Sequence, residues 1–301
     1  MKIKPLWIIT ILLIWLILFV NVFSNPVALL ADNWIILPIA FLAAVVANAT
    51  AIGGGFLFVP LFIFAYGLLP LSALKLSLAT QAFGMTAGAL GWSREYIIGR
   101  LFIVGSLASA VGMILGTLYW QVSNIMIKQI FGWVSLFIFV AVILESRYAD
   151  KSSDTTLRNN SLLQQIGFIV ATFFGGLITA WTAIGVGEVV ALYLLFVYRL
   201  RIETAIATGI SILAVDSIIG LMLHVNLGGI PYEYLAFTVP AVIIGGWYGA
   251  RVGLFLENIL FHTSTTNNIT RSKNKSPLRW IFAGVILLDG SVMLVQSYLS
   301  K

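Results

Sequence analysis

Two stretches decide the fold: "NATAIGGGFLFVP" at residues 48–60 and "WTAIGVGEVVAL" at residues 181–192. The first places three consecutive glycines, Gly53, Gly54 and Gly55, in the middle of a very apolar region. Glycine weakens a helix interior because it gives up the most backbone freedom on ordering. A chain that does this twice needs backbone other than helix at those two places. Aligned, "TAIGGGFLFV" (50–59) matches "TAIGVGEVVA" (182–191), and "LSLATQ" (76–81) corresponds to "TAIATG" (204–209). Gly112 and Gly116 fall on Gly245 and Gly249. The offset stays near 130 positions throughout, which marks an internal duplication.

Working outward, the whole chain is apolar. Of its 301 residues 60% are hydrophobic and only 9% charged, against about 25% charged in ordinary globular domains. Eleven apolar segments recur, at 6–23, 34–50, 56–69, 75–91, 101–120, 128–144, 162–181, 186–198, 204–223, 234–256 and 280–299. Many approach the ~20 residues needed to cross the hydrocarbon layer. The fold class expected is an all-α polytopic membrane protein. The first segment follows Lys2 and Lys4 and resembles a signal peptide with "ALLA" as its cleavage site. Its apolar run of about 18 residues favours a retained helix, since signal-peptide cores run 7–15.

The basic residues set the topology. With a cytoplasmic N-terminus and every segment crossing, one side receives Lys2, Lys4, Arg94, Arg100, Arg147, Lys151, Arg158, Arg199, Arg201, Arg251, Arg271, Lys273, Lys275 and Arg279. The outer side receives only Lys75, Lys128 and Lys301. This is the asymmetry of the positive-inside rule, and it puts the C-terminus outside. The net charge of +6 is thus a topology signal rather than a nucleic-acid surface. The predicted organisation is an N-terminal helix and outer loop (1–33), a first repeat (34–144), a cytoplasmic linker (145–161) and a second repeat (162–301). Each half holds five segments. Five is odd, so the second half enters the membrane from the opposite side, giving an inverted repeat with short, Gly-interrupted helices.

In such architectures a pair of short or Gly-interrupted segments at matching positions points to the binding site. A helix starting after each turn aims free N–H groups and its positive dipole end at the turn, which suits an anion. The expected substrate-binding residues are Asn48, Thr50, Gly53, Gly54, Gly55, Gln81, Thr182, Gly185, Gly187 and Ser211. Acidic groups inside apolar segments are costly and commonly relay ions. Glu188 at the second turn and Asp216 within "SILAVDSIIG" are the expected ion-coupling residues. Asp289 is set aside because its helix is expected at the periphery.

The first motif, its degenerate copy and the "AxAT"-like helix starts resemble the TauE/SafE-type sulfite exporter family of membrane transporters. The resemblance covers most of the chain after the first helix. It implies transport of small anions, often sulfur-containing ones such as sulfite or sulfonates, across a bacterial inner membrane. The second copy departs from the first: "GVGEVVALY" lacks the third glycine and the following proline, and carries Glu188.

A passive anion channel through the same turns is the main alternative. An intramembrane enzyme lacks its machinery: there is no cysteine, only His224 and His262, no "HExxH" and no "GxSxG" with a partner. Hence no catalytic residue, metal or cofactor is expected, and no P-loop offers nucleotide-driven transport. The expected partners are the small anion and the bilayer. An anchoring subunit would leave the duplicated turns without a purpose. Glycines outside the turns, such as Gly88, are expected only to pack helices and to tolerate substitution better. Thr80, Gln81, Thr208 and Ser211 read equally well as makers of ordinary helix–helix hydrogen bonds. Trp34, Trp92, Trp120 and Trp280 read as interfacial anchors, and His224 as an interfacial residue.

Overall fold

Apolar segments whose backbone groups lie out of reach of water must satisfy them internally, which favours helix. The computed structural model describes residues 6–50, 53–92, 94–148, 161–265 and 277–299. Within them lie twelve α-helices: α1 (Leu6–Val22), α2 (Pro26–Asn33), α3 (Ile36–Thr50), α4 (Gly55–Phe64), α5 (Pro70–Gly91), α6 (Gly99–Leu118), α7 (Asn124–Tyr148), α8 (Leu162–Thr182), α9 (Val186–Phe196), α10 (Ile202–Leu227), α11 (Tyr232–Thr265) and α12 (Pro277–Leu299). All eleven expected segments are helices. The addition is α2, which Pro26 opens and which turns 119° away from α1. Proline also moves a boundary. Leu69 is extended and Pro70 opens α5, earlier than hydropathy alone suggests.

Among the described residues, five helical stretches are long and apolar enough to cross a membrane: Gly99–Leu118, Asn124–Ala141, Leu162–Thr182, Ile202–Leu227 and Tyr232–Phe255. The outer surface agrees, with Leu107, Phe137, Leu90 and Leu288 exposed as a bilayer would cover them. This is a multi-pass membrane protein. Helix α5 is 22 residues long yet more polar, carrying Ser77, Thr80 and Gln81. It is mostly buried, so protein rather than lipid meets those groups. By contrast α4 and α9 have only 10 and 11 residues. At 1.5 Å per residue each spans about 15 Å, half of the hydrocarbon layer.

Side-chain register fixes the relative helix directions. A Cβ on Gly84 would meet Val242, and one on Gly91 would meet Ala250, so α5 and α11 run parallel. Gly105 faces Ile212 and Gly220 faces Met113, which makes α6 and α10 parallel. Gly112 lies on Phe173 and Gly116 on Ala180, pairing α6 with α8 in parallel. Gly245 lies on Phe41 and Gly249 on Val45, and α11 joins α3 in the same way. Two pairs run oppositely. In α5 and α10, Gly220 lies near Leu78 while Lys75 Nζ donates to Gly228 O at 2.8 Å. In α7 and α12, Gly132 faces Leu294, Gly290 faces Ser135, and Lys128 Nζ donates to Gln296 Oε1 at 3.2 Å.

These directions define two ends of the bundle. One end holds Lys75 and Lys128 at the starts of α5 and α7. The other holds Arg94, Arg100, Arg199, Arg201 and Arg251, with Arg147 and Arg279 at the end of α7 and the start of α12. The charge asymmetry inferred from the sequence therefore coincides with the two ends of the fold. Lys2, Lys4, Lys151, Arg158, Arg271, Lys273, Lys275 and Lys301 lie outside the described residues.

Candidate functional site

The second turn is built by local chemistry. Helix α8 ends because Ala183 adopts the left-handed conformation (φ 60°) and Gly185 a positive φ of 136°. Thr182 Oγ1 accepts from Ile184 N–H at 3.3 Å and steadies the break. Thr179 Oγ1, one helical turn earlier, accepts from Val186 N–H at 3.0 Å and caps the new helix α9. At the third helical position Glu188 reaches back to Gly185 N–H with Oε2, at 3.0 Å, the glutamate half of a capping box.

The other oxygen of Glu188 leaves its own helix. Oε1 accepts from Gly53 N–H at 2.5 Å, a residue 135 positions away. Gly53 and Gly185 occupy matching positions in the aligned stretches. One carboxylate therefore holds the equivalent N–H of both turns, and the N-termini of α4 and α9 converge on it. Both helices direct the positive ends of their dipoles at this carboxyl group. Glu188 is 4% exposed, and Gly53, Gly54, Gly55, Gly185 and Gly187 are all buried. The described residues of the locus are therefore out of contact with solvent.

The glycines are there for close approach. A Cβ on Gly53 would stand 2.7 Å from Glu188 Oε1. One on Gly55 would collide with the Ala183 carbonyl and with Ile184, so the two turns touch backbone to backbone. Leu213 of α10 backs both Gly53 and Gly187. Gln81 of α5 completes the wall. Its Nε2 donates to Ala183 O at 3.0 Å, its Cγ lies against Gly54, and its Oε1 is buried with no hydrogen-bond partner.

Of the expected site residues, Gly53, Gly54, Gly55, Gln81, Thr182, Gly185, Gly187 and Glu188 are thus brought together. The others are placed elsewhere. Asn48 is buried between α3, α5 and α11, where Nδ2 donates to Ala44 O at 2.9 Å and Gly84 O at 3.4 Å. Thr50 Oγ1 donates to Val46 O and Ser211 Oγ to Ala207 O, each one turn back in its own helix. Asp216 lies one turn beyond Leu213 but at the α6 interface, wholly buried, with its carboxyl group beside the Ser109 hydroxyl. Thr179, Ala183 and Leu213 were not foreseen. For Thr179 the signal was its place one turn before Thr182.

Three expectations are corrected. His224 is no interfacial residue: it is 4% exposed and both ring nitrogens lack hydrogen-bond partners. Trp92 is no surface anchor either, being buried with Nε1 donating to Asn48 O at 3.2 Å. Gly88 has no room for a side chain, because its Cβ would overlap Asn48 Oδ1. Trp34 and Trp120 are exposed as expected.

Helices with buried polar groups inside an apolar shell, with the starts of two short helices meeting among them, are the arrangement found in membrane transport proteins. The chain belongs to the TauE/SafE sulfite exporter family: the family model "Sulfite exporter TauE/SafE" matches residues 36–293, most of its length. Comparison with curated proteins and with solved structures returned no match.

Proposed function

We propose that the protein is a secondary transporter for a small oxoanion, of the kind typified by sulfite or a sulfonate, with the paired turns as its binding site. The observation that carries this is the convergence of two helix N-termini on one carboxylate, at matched positions of a duplicated motif. Donors that hold a carboxylate there hold a free oxoanion by the same chemistry. Proton coupling follows from Glu188: its charged form repels an incoming anion, so proton and anion bind together.

The helix pairings support an inverted repeat. Exchanging α3 with α8, α4 with α9, α5 with α10, α6 with α11 and α7 with α12 turns the α3–α11 contact into α8–α6 and the α5–α11 contact into α10–α6. The self-pairs α5–α10 and α7–α12 are antiparallel, as an axis in the membrane plane requires. Repeats at 34–144 and 162–301 with a linker at 145–161 fit this exchange. The end rich in arginine is read as cytoplasmic, in a bacterial inner membrane, with the N-terminus inside and the C-terminus outside.

The burial of Glu188 and of the turn glycines favours alternating access over an open pore. The test is uptake into proteoliposomes of purified protein. Accumulation of labelled sulfite or taurine above its external concentration, driven by an imposed pH gradient, supports the transporter. Equilibration that never exceeds the external concentration indicates the channel, and no flux of any small oxoanion rejects both.

A further inference from the structure

We propose that Glu188 is a tethered anion: its carboxylate fills the seat that the free substrate takes, and transport proceeds by exchange between the two. This rests on reading the paired turns as an anion seat.

The bonding pattern points to occupancy rather than to a cap. A capping glutamate closes on its own helix, as Oε2 does on Gly185. Nothing in capping calls for the second bond, from Oε1 to Gly53 in the other half of the chain. The two donors are served by separate oxygens of one group, so the seat recognises an anion with two oxygens on one centre. Carboxylates, sulfite and sulfonates share that feature. The duplication makes a place for one anion between two copies, and only one copy supplies it. Phe56 stands where Glu188 stands in the other half and is buried without charge.

Gln81 adds an independent observation. Its Nε2 is committed to Ala183 O and Ser77 Oγ and its Cγ lies against Gly54, while Oε1 is buried and receives no hydrogen bond. A buried acceptor left open is costly. It fits a ligand that brings a donor of its own, such as a singly protonated oxoanion. Glu188, when ionised, has none to give. The tethered group therefore matches the seat's N–H donors but leaves Gln81 unsatisfied, which makes it displaceable by the better-matched free anion.

A seat filled by its own side chain lowers apparent affinity by the fraction of time it stands empty. Removing the tether should restore it. Sulfite and acetate are titrated calorimetrically into purified wild type, Glu188→Ala and Glu188→Gln at one fixed pH. Glu188→Ala is expected to bind both anions about tenfold tighter or more, with acetate competing against sulfite as a replacement for the lost carboxylate. Glu188→Gln keeps the volume and one acceptor, and is expected to gain less. It decides the matter should the alanine variant fail to fold. Affinities no tighter than wild type in the variants that fold overturn the proposal. Wild-type sulfite uptake with unchanged variant affinities rejects the tethered anion alone. Acetate seated in Glu188→Ala, with no oxoanion flux by the wild type, upholds the tether and rejects the transporter reading.

Discussion

At Gly53 a single methyl group separates two outcomes. The Cβ of alanine would stand 2.7 Å from Glu188 Oε1 and 3.4 Å from Leu213, so the bond that links the two turns must lengthen or break. At Gly185 the obstacle is the backbone: φ of 136° is outside what L side chains adopt readily, at a cost of about 1–3 kcal/mol. Gly53→Ala and Gly185→Ala are therefore expected to abolish anion uptake while still inserting. Gly284→Ala, where a Cβ meets nothing within 4 Å, should transport as wild type; equal uptake by all three would show that the turns carry no substrate. Glu188→Gln tests coupling at the same spot: uptake should persist but lose its dependence on an imposed pH gradient. Unchanged dependence would leave Glu188 a structural acceptor and direct the search to Asp216. The glycines and the acidic residue beside them were legible in the sequence, because both break the rules of an apolar helix. That one carboxylate reaches both turns was not, since the alignment matches the halves but says nothing of how they interlock. Nor was Gln81 distinguishable from an ordinary helix–helix amide.

Between elements the determining quantity is backbone separation. Helices α6 and α8 approach so closely that Cβ atoms on Gly112 and Gly176 would fall on the carbonyls of Phe173 and Ser109. The equivalent contact between α11 and α3 places Gly245 on the Phe41 carbonyl and Gly249 on that of Val45. Without a hydrophobic drive between helices in lipid, such packing holds the bundle. Gly112→Ala and Gly245→Ala should each destabilise by about 1–3 kcal/mol as overpacked sites, seen as a lower melting temperature in detergent. The two losses should be similar, because the positions correspond. A clear drop in one and none in the other would argue against equivalent halves. The helices themselves were legible from hydropathy, and their shortness at α4 and α9 from the glycines. Helix α2 was missed because its eight residues, PVALLADN, carry too little apolar character to stand out from a loop. The start of α5 was misjudged because proline, not hydropathy, sets it.

For the whole molecule, orientation follows from two independent lines. Register alone sorts the helix ends into two groups: the starts of α5 and α7 with the end of α10, and the starts of α6, α8 and α10 with the ends of α5 and α11. Charge then separates the groups, since the second carries Arg94, Arg100, Arg199, Arg201 and Arg251 and the first Lys75 and Lys128. Translocation disfavours arginine and lysine in short loops, which is the ground for proposing that the arginine-rich end is the cytoplasmic one. The end of α7 and the start of α8 belong to that group, as do the end of α11 and the start of α12. Lys301 follows α12, whose antiparallel pairing with α7 carries its end to the opposite face. The native chain has no cysteine, so single cysteines report without background. Ser123→Cys, between α6 and α7, and Ser300→Cys are expected to react with an impermeant maleimide in intact cells. Ser153→Cys should react only after permeabilisation. Labelling of position 153 in intact cells, with 123 and 300 protected, would invert the molecule. Labelling of 123 but not 300 would remove one crossing from the second half, and with it the odd count that an inverted repeat requires.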